Sequence, residues 1–218
     1  GSHTLGVFPP GGQASIPRLK AVLHQLGVRY EKMNLGSPGM PGTQAFLEAY
    51  KIIHEAGGIA IAAHINAPTG VLAIANNLPT GALRISATQN SSLHALEFSA
   101  FHSPQLQGFS SPHWYDGTNL GYERRMFCVQ GSDAHRLTQS QDDPMHRWGV
   151  GDRPSEVMLP AATFDALLKL FASNDFDRLR VPFVSDVARY NRVAEARSAG
   201  PSNHQILSLA CIDDPDQM

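Results

Sequence analysis

Apolar positions along this chain recur with two different periods, and the changes from one period to the other mark out its elements. In "SIPRLKAVLHQLG", Leu19, Val22, Leu23 and Leu26 fall three or four residues apart and predict a helix with one apolar face. Ser15 stands where an N-cap belongs, Pro17 suits a first turn, and Gly27 is a stop signal. "TQAFLEAYKIIHEAGG" repeats the pattern, with Thr43 as cap, Phe46, Leu47, Tyr50 and Ile53 on one face, and Gly57 at the end. "TFDALLKLFAS", capped by Thr163, predicts a third helix.

Between the helices lie short runs of another kind. "IAIAAH" is continuously apolar, the pattern of a strand buried on both faces of a parallel sheet. "LGVF", "LHALEFSA", "RMFCVQ" and "SEVMLP" are further strand candidates. Helix, glycine stop and buried strand in succession form half of a repeating α/β unit, so the expected class is α/β with a mainly parallel sheet, open or barrel-like. "NLGSPGMPG" reads as a loop. After about Arg180 the chain becomes more polar, and a Pro/Ser/Asn cluster places a boundary near Ser198. "ILSLACIDDPDQM" then looks like the start of a strand that belongs to something further.

Composition adds limits rather than direction. With 218 residues, 42% hydrophobic and 17% charged, the chain has enough apolar side chains for a sizeable core. A formal net charge of -2 leaves no broad basic field for a nucleic-acid backbone, although a local basic groove stays open. Cys128 and Cys211 stand far apart and in no metal-binding spacing, which argues against a disulfide framework and for a reducing cytoplasm. No apolar run reaches the ~18 residues of a membrane span, and no leader for export is evident.

Polar residues at the strand ends carry the candidate chemistry. In parallel α/β folds ligands bind outside the carboxyl ends of the strands. His64 closes "IAIAA", Asp133 and His135 follow "MFCVQ" after a short turn, and Glu97 lies inside "HALEF". Imidazoles and carboxylates converging there would suit zinc, manganese or iron. Each residue also has a plain structural reading. A strand-end histidine is often simply buried and hydrogen-bonded, "SDAH" suits a turn, and Glu97 suits a solvated strand.

Taken together, "EAGGIAIAAH", "ALEF" and "GSDAHR" resemble the C-terminal half of the PHP domain, the polymerase and histidinol phosphatase family. "HRWGVGDRPSEVMLPAATFDALLKLF" is similar to that family's closing loop, strand and helix. The likeness covers roughly Gly1 to Val181, leaving 182–218 as a linker and the start of a following domain. It implies a partial, distorted (β/α)7 barrel without its N-terminal strands. It also implies metal-dependent hydrolysis of a phosphomonoester or nucleic-acid phosphoester at a di- or trinuclear centre.

On this resemblance His64, Asp133 and His135 are the metal-holding and catalytic residues, and Glu97 supports the site. His3 is a further ligand if "GSH" is native, since the same letters are what a cleaved affinity tag leaves. Arg136 would bind the substrate phosphate, with Arg124 and Arg125 as further guanidinium candidates whose plainer reading is solvated loop charge.

The departures matter as much as the matches. The family opens with an H-x-H motif, and no H-x-H occurs here, which suggests a fragment, a split domain or a degenerate member. The family's "AHP" is "AHIN" in this chain, similar to the branch in which a PHP domain precedes a chromosome-maintenance-like ATPase. No G-x-x-x-x-G-K-[ST] loop is present, so ATP hydrolysis is not expected of these residues. The alternative reading is therefore a catalytically incomplete PHP-like module with a regulatory or docking role beside an ATPase.

Overall fold

The structure, a computed structural model, describes residues 3–28, 45–67, 70–72, 81–98, 112–132, 134, 137, 149–151 and 153–181. Strand β1 (Thr4–Val7) leads through a short 3-10 turn into helix α1 (Ile16–Gln25). Helix α2 (Phe46–Glu55) precedes β2 (Ile59–Ala62), and helix α3 (Gly81–Gln89) precedes β3 (Ala95–Phe98). Then come β4 (Phe127–Gln130), β5 (Glu156–Val157), helix α4 (Phe164–Phe171) and β6 (Leu179–Arg180).

The fold is mixed α/β with two sheets. The larger runs β1-β2-β3-β4, and β5 pairs with β6 in a small antiparallel second sheet. β2, β3 and β4 are parallel, with Ala62 opposite Leu96 and Phe98 opposite Gln130. β1 runs the other way along β2, Thr4 opposite Ala62 and Val7 opposite Ile59. The described strands form no closed barrel; they make an open sheet with an antiparallel edge strand. The expected boundary near Ser198 and the unfinished strand after it lie outside the described residues.

The central strands are buried on both faces because their side chains alternate between two cores. Ala60, Ala62, Leu96 and Phe98 pack with Tyr50 and Ile53 of α2 and Ala87 of α3. Ile59, Ile61, Ala95, Phe127 and Val129 turn the other way, onto Val157 and the Leu167, Leu170 and Phe171 stripe of α4. A continuously apolar strand is what this arrangement demands, since neither face meets water.

Local signals account for several boundaries. Thr163 caps α4, its hydroxyl accepting from the Ala166 N–H at 3.2 Å. Gly27 and Gly57 end α1 and α2 with φ of 75° and 72°, a left-handed conformation that costs glycine little. Ser15 differs from expectation: its hydroxyl donates back to the Gly12 carbonyl and makes no cap bond, because a 3-10 turn already precedes the helix. Thr43 lies outside the described residues, and the N-cap of α2 is Ala45.

Two departures come from packing. The expected apolar face of α1 buries only Val22, while Leu19 stays exposed. Helix α3, "GALRISATQ", has too weak an apolar stripe to stand out, and packing through Ala87 and Thr88 holds it in place. Leu96→Ala, at a fully buried position, is expected to cost about 2–5 kcal/mol. Leu19→Ala should stay within about 0.5 kcal/mol. Urea unfolding of the two variants measures the contrast, and equal losses would mean that α1 buries its expected face.

Candidate functional site

The carboxyl ends of β2, β3 and β4 meet around one carboxylate. Glu97 sits in β3 opposite Val129 of β4, and only about 9% of its surface is exposed. Its Oε2 accepts from the His64 backbone N–H at 3.0 Å, in the chain just beyond β2. Its Oε1 lies against Gly131, just beyond β4, so closely that a Cβ added there would stand 1.8 Å away. One side chain thus ties together the exits of both flanking strands.

His64 takes φ of 30°, which is uncommon for a residue with a side chain. The cost is about 1 kcal/mol or more, and hydrogen bonds on all sides hold the turn. Besides the Glu97 bond, Ala67 N–H donates to the His64 carbonyl at 2.8 Å and Ile65 N–H donates to the Glu97 carbonyl at 2.9 Å. Gly70 closes the turn from outside: a Cβ there would fall 2.2 Å from the His64 oxygen. The His64 ring is buried, and the ring of exposed His3 meets it edge-on, centroids 4.9 Å apart.

A second brace joins the end of β4 to the chain before β5. Arg153 donates to the Gly131 carbonyl at 2.9 Å and to Gln130 Oε1 at 3.3 Å. Ser155 and Gln130 exchange bonds, the Gln130 N–H donating to the Ser155 hydroxyl and that hydroxyl donating to the Gln130 carbonyl. Burial holds the Arg153 guanidinium below its usual range, and the nearby Glu97 charge works against that pull. Arg153, Gln130 and Ser155 were not legible as site residues. The only trace of them was an arginine in "GDRPSEV", directly before a strand.

The structure therefore brings His64, Glu97 and His3 to one end of the sheet, while Asp133, His135 and Arg136 lie outside the described residues. Among the described residues, no group of three or more His, Cys, Asp or Glu side chains could hold a metal ion. That finding overturns the expected zinc, manganese or iron cofactor, and with it the metal-dependent phosphoesterase and hydrolase readings. Of the expected ligands only His64 and His3 stand together among the described residues, two donors where three or more are needed.

Arg124 and Arg125 lie elsewhere. They precede β4 and stand beyond its amino end, the strand alone putting roughly 10 Å between them and the site at about 3.3 Å per residue. Arg124 donates to the Asn90 and Leu93 carbonyls, and its N–H donates to Gln89 Oε1. Beside it His94 clamps β2 from the start of β3: its N–H donates to the Ala60 carbonyl, and its Nδ1 accepts from the Ala60 N–H at 3.0 Å. Burial, then the charges of His54 and Arg124, pull the His94 pKa down to about 4.

No family model matches the chain, and neither a curated protein nor a solved structure does. No helix among the described residues is long and apolar enough to cross a membrane.

Two predictions follow from this geometry. Gly131→Ala should destabilise the fold by about 1–3 kcal/mol through overpacking against Glu97. The same substitution in a Glu97→Ala background should cost much less, and a double-mutant cycle reads the coupling. Additive losses would show that the two residues do not press on each other.

The second concerns pH. The folded state keeps His94 neutral down to about pH 4, whereas the unfolded chain binds the proton near pH 6.5. The His94 contribution is therefore complete above about pH 6.5 and falls away between there and about pH 4. The difference in stability between wild type and His94→Asn, followed by denaturant unfolding across that window, should shrink as pH falls. A constant difference would place His94 in contact with water.

Proposed function

We propose that this chain is a PHP-like module without a working metal centre, serving as a docking or regulatory domain beside an ATPase of the same parent protein. The observation that carries the reading is the use of Glu97. Expected to support a metal site, this carboxylate instead accepts from the His64 backbone and packs on Gly131. The residues of "AAH" and "ALEF" brace the strands rather than presenting a cluster of donors.

"AHIN" in place of "AHP" supports the same reading. On this proposal the described sheet is part of a PHP-type barrel lacking its N-terminal strands, and the protein works in the cytoplasm. The attached ATPase is its main partner. A phosphorylated small molecule or nucleic-acid end would be bound rather than hydrolysed.

The test joins this chain in trans with the ATPase region of the parent protein. Titration calorimetry should show association, and the ATPase rate should change on binding. After equilibration with zinc or manganese, the chain alone should retain less than one metal per molecule and release no phosphate from an aryl phosphate. Metal-stimulated phosphate release that Asp133→Ala removes would overturn the proposal. So would a parent protein that encodes no ATPase.

A further inference from the structure

The end of the sheet opposite His64 and Glu97 carries chemistry of its own. A cavity of about 580 Å3 opens there, where β3 and β4 begin, a size suited to a small organic ligand. Its apolar lining is aromatic. Phe127 meets Phe171 edge-on at 5.2 Å between ring centroids, and Phe176 stacks on Phe127 at 4.4 Å with the planes tilted by 32°. Phe127 and Phe171 are buried, and Phe176, half-buried, is the one of the three rings with surface left to offer a ligand.

The polar lining favours negative charge. Arg124 is held at the wall by two backbone carbonyls, which position its guanidinium without cancelling its charge. Arg125 extends over the Phe176 ring, its Cζ 4.4 Å from the centroid, so the ring face orients a second guanidinium at the opening. Stacking of this kind leaves the in-plane N–H donors of an arginine facing outward.

His94 adds a donor. Its ring lines the cavity, and because Nδ1 accepts from β2, the neutral imidazole carries its proton on Nε2. Among the described residues Glu123 is the one carboxylate in the lining. It sits at the exposed rim, where the Gly121 N–H donates to it. Two guanidiniums against one carboxylate leave the cavity positive, as an anion site requires.

We propose that this cavity binds a small organic oxyanion with a planar apolar body, an aryl or heteroaryl phosphate or carboxylate. The apolar part packs along the half-buried Phe176 where Arg125 leaves it uncovered, and the oxyanion accepts from Arg125 and the His94 Nε2–H. Nothing in this assignment depends on the docking role or on the strand-end residues at His64.

Phenyl phosphate, benzoate and uncharged phenol, titrated into the full chain and followed by calorimetry and amide NMR shifts, test it. Phenyl phosphate or benzoate should saturate with a Kd below about 1 mM, a modest demand on affinity. The tighter of the two identifies phosphate or carboxylate as the preferred group. Phenol should bind at least tenfold more weakly. Arg125→Ala, at an exposed position that spares the core, should weaken the favoured anion about tenfold or more, and Arg125→Lys should restore part of the loss. His94→Asn should weaken it too while keeping an acceptor for Ala60. Absence of saturation by either anion at 10-fold above that limit, or an affinity unchanged in Arg125→Ala, would overturn the proposal.

Discussion

Glu97 places a buried carboxylate at the point where two parallel strands leave the sheet, and the arrangement of that end follows from what the carboxylate has to touch. One oxygen must receive a donor, because an unsatisfied buried carboxylate costs several kcal/mol. The His64 N–H supplies one, at the expense of a left-handed backbone at His64. The other oxygen needs room beside β4, and only a residue without a Cβ provides it at Gly131. Arg153 then fastens the Gly131 carbonyl and puts a positive charge near the acid.

This constraint separates the two ends of the sheet in function. At the carboxyl ends the polar groups are turned onto one another and onto backbone, which makes a brace. At the amino ends His94 locks β2 to β3 in a similar way, yet its ring, Arg124 and Arg125 also line an open cavity with an aromatic floor. Structural service and ligand binding coexist there because a histidine or arginine has donors to spare after its backbone bonds are made.

Much of the fold was legible locally. The parallel strands at "IAIA", "ALEF" and "FCVQ", the Thr163 cap and the glycine stops at Gly27 and Gly57 all stand where the residue pattern placed them. The candidate site was only half legible. His64 and Glu97 do come together, but the pattern of donors read as a metal centre is, among the described residues, a hydrogen-bonded junction. Arg153 was not legible because its role depends on the backbone carbonyl of Gly131, just beyond β4, and the side-chain oxygen of Gln130 in it, 22 and 23 residues earlier.

The sequence by itself determined three of the four described helices and the strands buried on both faces, because periodicity, caps and glycines act over a few neighbouring residues. The tertiary structure decided the rest. β1 lies antiparallel on β2, α1 leaves Leu19 in water, and α3 forms from a weakly patterned segment because core contacts exist for it. It also decided that Arg124 and Arg125 stand at the far end from His64, and that Glu97 faces backbone. Each of these outcomes turns on which distant atoms share a space, and residue spacing along a chain does not encode that distance.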